Sequence, residues 1–230
     1  PNSCYHFVDW DDSSTDNPRH DTGTSTNQSF TANFAIDVFT VEYIAGSNGS
    51  VNGSWPENVD CGNNGGWVLA SPDPCYHFVD WDDAVTDNPR QDTNVTSNIS
   101  ATANFAIDVF TIEYISGANG SVNGSWPENV NCGDNSSWVE ATADPCYHFV
   151  NWSDSSTDNP RQETNVSTNQ SYTANFAIDI YTLTYNAGTH GSLIGSSPQT
   201  VDCGNDGAAV AIDADSCYHF VNWSDSSTDN

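Results

Sequence analysis

The sequence predicts an all-β protein made of tandem small β-rich modules of 71 residues in a semi-rigid linear array. Three observations predict it. The string Cys-Tyr-His-Phe-Val begins at Cys4, Cys75, Cys146 and Cys217, and Thr-Ala-Asn-Phe-Ala-Ile-Asp begins at Thr31, Thr102 and Thr173, with a step of 71 throughout. Between turn signals, apolar and polar residues alternate with the period of a strand. No window keeps a 3.6-residue apolar period over the roughly ten residues a helix needs.

The repeat divides the chain into a partial module 1–37, complete modules 38–108 and 109–179, and a partial module 180–230. The complete module 38–108 opens with Val38-Phe39-Thr40-Val41-Glu42-Tyr43, which places Phe39, Val41 and Tyr43 on one face. Asn48-Gly49 and Asn52-Gly53 are tight-turn signals. Residues 55–60 and 67–70 read as short strands around a Gly/Asn-rich turn. Residues 75–81 are apolar on both faces almost to their end, which reads as a central, doubly covered strand. Residues 82–94 form a polar loop that turns at Asp87-Asn88-Pro89, and Ile99 to Ile107 is the closing strand. That strand runs through Asp108 into Val109 with no Gly-, Pro- or Ser-rich linker, so successive modules should meet in a fixed geometry.

Charge excludes several functions. The chain has 31 acidic residues, three arginines and no lysine, for a net charge of −28. Nucleic acid requires a basic footprint, and anionic membranes repel such a surface. No segment suggests membrane insertion and no cofactor motif is present. A solvated, mutually repelling surface in an extracellular layer accounts for the acidity. The absence of lysine also rules out Lys–Asn isopeptide cross-links. A 71-residue unit buries only about 60% of its unfolded surface, so it needs a staple, a metal or a neighbour.

Seven cysteines occupy two repeat positions: Cys61, Cys132 and Cys203 at one, Cys4, Cys75, Cys146 and Cys217 at the other. There is no Cys-x-x-Cys pair and no Cys/His cluster of zinc spacing. The spacing favours disulfides Cys61–Cys75, Cys132–Cys146 and Cys203–Cys217 in an oxidising compartment. Each would close a loop of about 15 residues, worth about 3 kcal/mol. Buried free thiols and bridges between successive modules are the alternatives. Under the favoured pairing Cys4 bonds to a residue before residue 1, and the final Thr228-Asp229-Asn230 runs on into Pro-Arg in earlier copies. The array is therefore expected to continue in both directions.

Tyr181-Thr182-Leu183-Thr184-Tyr185-Asn186-Ala187-Gly188, Ser197-Pro198-Gln199-Thr200-Val201-Asp202 and Tyr218-His219-Phe220-Val221-Asn222-Trp223-Ser224-Asp225 resemble the divergent internalin-B-type B-repeat. The resemblance covers essentially the whole chain. It implies small β-grasp-like modules, repeated in secreted and cell-surface proteins of bacteria and archaea, serving as spacers or adhesive stalks. The family commonly has an aromatic where Cys203 stands and a glycine where Cys217 stands. Their joint replacement suggests a disulfide and the toughness of a permanent fibre.

The remaining chemistry is sparse. Twelve Asn-x-Ser/Thr sequons recur, of which Asn94, Asn165, Asn98, Asn169, Asn48, Asn119 and Asn27 are the glycosylation candidates; turn-forming asparagine is the plain alternative. Asp80, Asp82, Asp83 and Asp87 could ligate calcium through oxygen, but the later copies read Asn151-Trp152-Ser153-Asp154 and Asn222-Trp223-Ser224-Asp225, which speaks against a ligand set. Arg19, Arg90 and Arg161 each call for a local acidic partner, of modest value if exposed. His6, His77, His148 and His219 read as core or strand-face residues. Trp55, Trp67, Trp126 and Trp138 read as packing residues, with sugar stacking the alternative. No nucleophile motif accompanies Ser, His and Asp. The sequence thus predicts a non-enzymatic, extracellular structural repeat, a segment of a long disulfide-stapled stalk or filament. Its partners are neighbouring modules and laterally associated copies. The alternative is a multivalent adhesin binding glycans or proteins through module loops.

Overall fold

A computed structural model describes residues 2–229. Strand makes up 43% of the chain, and no helix occurs among the described residues. The chain divides into two compact units, one ending at Asp108 and one beginning at Val109.

In the first unit, β1 (Tyr5–Trp10) and β2 (Ala32–Ile36) form an antiparallel pair. Then come β3 (Val38–Ala45), β4 (Gly49–Val51), β5 (Glu57–Asp60), β6 (Ala70–Pro72), β7 (Tyr76–Trp81) and β8 (Ile99–Ile107). The main sheet has the order β5-β3-β8-β7. Its first and last strands, β3 and β8, lie side by side and parallel at the centre, and the outer pairings are antiparallel. The small pair β4–β6 packs alongside.

The second unit repeats the pattern with β9 (Val109–Ser116), β10 (Gly120–Val122), β11 (Glu128–Asn131), β12 (Ala141–Ala143), β13 (Tyr147–Trp152) and β14 (Gln170–Ile178). It continues with β15 (Ile180–Leu183), β16 (Gly191–Ile194), β17 (Gln199–Asp202) and β18 (Ala211–Ala214), which form the two-stranded pairs β15–β17 and β16–β18.

Alternation explains the core. Val41 and Tyr43 point inward from β3 and join Val59, Val68, Ala70, Trp81, Val95, Ala101 and Ala103. Ile112, Tyr114, Val130, Val139, Ala141, Trp152, Val166 and Ala174 build the same core one period on. Trp55 packs edge-on against Tyr43, as Trp126 does against Tyr114, with ring centroids 4.5 Å apart.

Two expectations are corrected. The segment before residue 81 is not the central strand: β7 is an edge strand, with His77 and Val79 exposed. Its pairing with β8 shifts between Phe78 and Asp80, a bulge that changes the inward parity. Tyr76 and Phe78 turn toward the core before the bulge and Trp81 after it, so the sequence looks apolar on both faces. Likewise Trp67 and Trp138 do not pack: each is 62% exposed.

Close approach of the central strands makes one glycine indispensable. The Gly46 N–H donates to the Ala103 carbonyl (3.0 Å), and a Cβ on Gly46 would overlap that oxygen. Gly46→Ala is expected to cost about 1–3 kcal/mol, as overpacking does. A thermal melt checks it; an unchanged midpoint would mean that β3 and β8 separate without penalty.

Candidate functional site: the module junction

A single residue separates β2 from β3. The Asp37 N–H donates to the Cys4 carbonyl (2.9 Å), and its own carbonyl accepts from the Cys61 N–H (2.8 Å). Its carboxylate lies 2.7 Å from Nδ1 of His6. Asp179 repeats all three contacts with Cys146, Cys203 and His148. Asp108 likewise donates to the Cys75 carbonyl and meets His77 at 2.7 Å. The histidines are exposed strand-face residues whose rings turn toward the junction aspartate.

The disulfides close over this joint. Cys4 bonds to Cys61 and Cys146 to Cys203, with Cα–Cα distances of 5.3 and 5.4 Å and a separation of 57 residues in each pair. Cys75 and Cys132 are disulfide-bonded as well, and Cys217 is a free, exposed thiol. The expected pairings Cys61–Cys75, Cys132–Cys146 and Cys203–Cys217 are therefore wrong. Cys4 finds its partner within the chain, so it says nothing about what precedes it. Parallel central strands supply the reason. Asp60 pairs with Val38, so Cys61 emerges at the module's entry end; Tyr76 pairs with Ile107, so Cys75 sits at the exit end. Fourteen residues of sequence span the sheet from end to end.

Cys4, Cys75, Cys146 and Cys217 all have φ between 69° and 73°. This left-handed region suits glycine and costs other residues about 1 kcal/mol or more. A cysteine here is locally unfavourable, and at Cys4, Cys75 and Cys146 the bridge more than offsets it.

A second cluster braces each module. Arg90 is only 4% exposed and forks onto Asp83 (2.7 and 2.8 Å) and Asp92 (3.0 Å). The Tyr43 hydroxyl also donates to Asp92. Arg161 does the same with Asp154 and Glu163, and its guanidinium stacks 3.7 Å over Tyr172. In the first copy Arg19 lies 3.3 Å over Phe30. The sequence calls for a local acidic partner at each arginine without naming it, and gives no sign of the burial. Burial and the neighbouring carboxylates push the Tyr43 and Tyr114 hydroxyls well above the usual phenol range.

Hydrogen bonds from Arg90 and Arg161 hold Asp83 and Asp154 below the usual carboxylate range. A carboxyl with a depressed folded-state pKa stabilises above its unfolded value and stops doing so as pH falls through the folded one. The arginine clusters should therefore be intact at neutral pH and weaken only below about pH 4. Urea midpoints measured from pH 7 to pH 2 check this. If Arg90→Met shifted the midpoint by the same amount at pH 2 as at pH 7, these pairs would not be the acid-sensitive element.

Three of the four calcium candidates have protein partners on their carboxylates, and at Asp87 the backbone carbonyl is engaged. Asp80 accepts from the Asn104 side chain (2.9 Å), Asp82 from the Thr102 N–H (3.0 Å), and Asp83 holds Arg90. The Asp87 carbonyl accepts from the Trp81 indole. No three His, Cys, Asp or Glu side chains gather as metal ligands among the described residues. All seven glycosylation candidates are exposed. Asn48, Asn94, Asn119 and Asn165 sit at turns with φ between 52° and 70°. Asn98 and Asn169 accept from the Thr40 and Thr111 N–H groups through the side-chain oxygen, not the nitrogen a glycan would use.

A family model described as the divergent InlB B-repeat domain matches three successive stretches, residues 39–108, 110–180 and 181–230. No curated protein and no solved structure matches the chain.

Proposed function

This chain belongs to the divergent InlB B-repeat family, and on that premise we propose that it is a load-bearing segment of an extracellular stalk or filament. The observation that carries the reading is the junction. One aspartate joins two sheets without slack, and a disulfide leading out of the module closes over it. Such a joint serves transmission of force between neighbours. The disulfides call for an oxidising compartment, and the net charge of −28 keeps neighbouring fibres hydrated and apart. In this reading the sequons at Asn94 and Asn165, both exposed, carry glycans. Antibodies against the 230-residue chain are expected to decorate surface appendages of intact cells in immunogold electron microscopy. Label confined to the cell interior would overturn the reading.

One observation favours the adhesin as a second reading. Trp67 and Trp138 expose a large ring at the same place in both complete modules, as sugar-stacking residues do. A glycan array tests it with the chain and with its Trp67→Ala/Trp138→Ala variant. Binding that the double variant loses supports an adhesin; binding that it keeps, or none at all, removes the tryptophans from consideration.

A further inference from the structure

The two cysteines of a complete module divide its chain unequally. In module 38–108 the backbone runs 71 residues from joint to joint, yet Cys61 and Cys75 are fourteen residues apart. Cys61 is bonded to Cys4, outside the module. Cys75 is disulfide-bonded too, and the module has no third cysteine, so its bridge also leaves the module. Module 109–179 has the same wiring: Cys146 is bonded outward to Cys203, and Cys132 is disulfide-bonded with its only module-mate already taken. Each module is thus tied outward at its entry end by one cysteine and at its exit end by the other.

We propose that the segments from Cys61 to Cys75 and from Cys132 to Cys146 are covalent extension stops. Tension arriving through one bridge leaves through the other along fourteen residues and bypasses the rest of the module. This deepens the load-bearing reading and rests on it. The sheet is the first resistance. Pulling on the start of β3 and the end of β8 loads their parallel ladder, Val41↔Ile99 to Ala45↔Ala103, in shear, so its hydrogen bonds must yield together. When they yield, an unbridged module of about 30 Å would lengthen to about 250 Å. The bypass allows only about 50 Å, a gain of about 2 nm instead of about 22 nm. Reduction removes the stop.

Single-molecule force spectroscopy on the full chain, held at its two ends, tests the proposal. With disulfides intact, neither complete module should give a step longer than about 2–3 nm; after reduction, steps of about 22 nm should appear. Steps of about 22 nm in the oxidised chain would overturn it. So would oxidised steps of about 17 nm, which a module stapled within itself would give. Because reduction opens every bridge at once, the variant Cys75→Gly/Cys132→Ser is pulled under oxidising conditions as well. It should show new steps on the order of 10 nm, because each module is then anchored at one end only. Their absence would refute the bypass. The outcome is independent of where the protein resides, so failure here is separable from failure of the immunogold experiment.

Discussion

Replacing Arg90 by alanine should destabilise its module by about 3–5 kcal/mol, the loss expected when one partner of a buried ion pair is removed. The guanidinium is 4% exposed and holds both Asp83 and Asp92. Without it, two carboxylates and the Tyr43 hydroxyl are left crowded over the core beside Trp81. Arg90→Lys should recover less than half of the loss, because an ammonium cannot fork onto two carboxylates. Arg161→Ala should cost at least as much, since its guanidinium also stacks on Tyr172 at 3.7 Å. Urea titrations followed by tryptophan fluorescence measure these differences. A loss below about 1 kcal/mol would place the cluster among ordinary surface salt bridges.

The bridge across the joint should matter as much. Cys61→Ser opens a loop whose ends are 57 residues apart, worth about 4 kcal/mol in the chain-entropy treatment, against about 3 for a fifteen-residue loop. The left-handed backbone at Cys4 permits a finer measurement. Cys4→Gly and Cys4→Ala both remove the bridge, but only glycine suits φ 73°. Cys4→Gly should therefore be the more stable of the two by about 1 kcal/mol. Equal stabilities would mean that the left-handed conformation at this position costs alanine nothing relative to glycine.

Much of the module was legible because alternation reports burial locally. Phe39, Val41 and Tyr43 mark the face of β3, and Ile99–Ile107 coincides with β8. What escaped notice depends on strands far apart in sequence. The bulge at Phe78 and Asp80 makes an edge strand look doubly covered, and nothing local signals it. The cysteine pairing follows from β3 and β8 being parallel, which puts the near neighbours Cys61 and Cys75 at opposite ends of a sheet. The recurring His–Asp interval, His6 to Asp37, His77 to Asp108 and His148 to Asp179, was available as a signal. It was overlooked because each partner alone resembles an ordinary polar residue. The exposure of Trp67 runs against the pressure on a small domain to bury its rings, so composition pointed the wrong way there.

The 57-residue reach of each bridge also governs how such a gene can change. Cutting out 71 residues at any point brings a cysteine of the first kind and one of the second back to the same separation. Unequal recombination between copies can therefore shorten or lengthen the coding sequence by whole periods without stranding an internal thiol. A deletion that removes one cysteine of a pair without restoring the phase of the repeat would strand its partner.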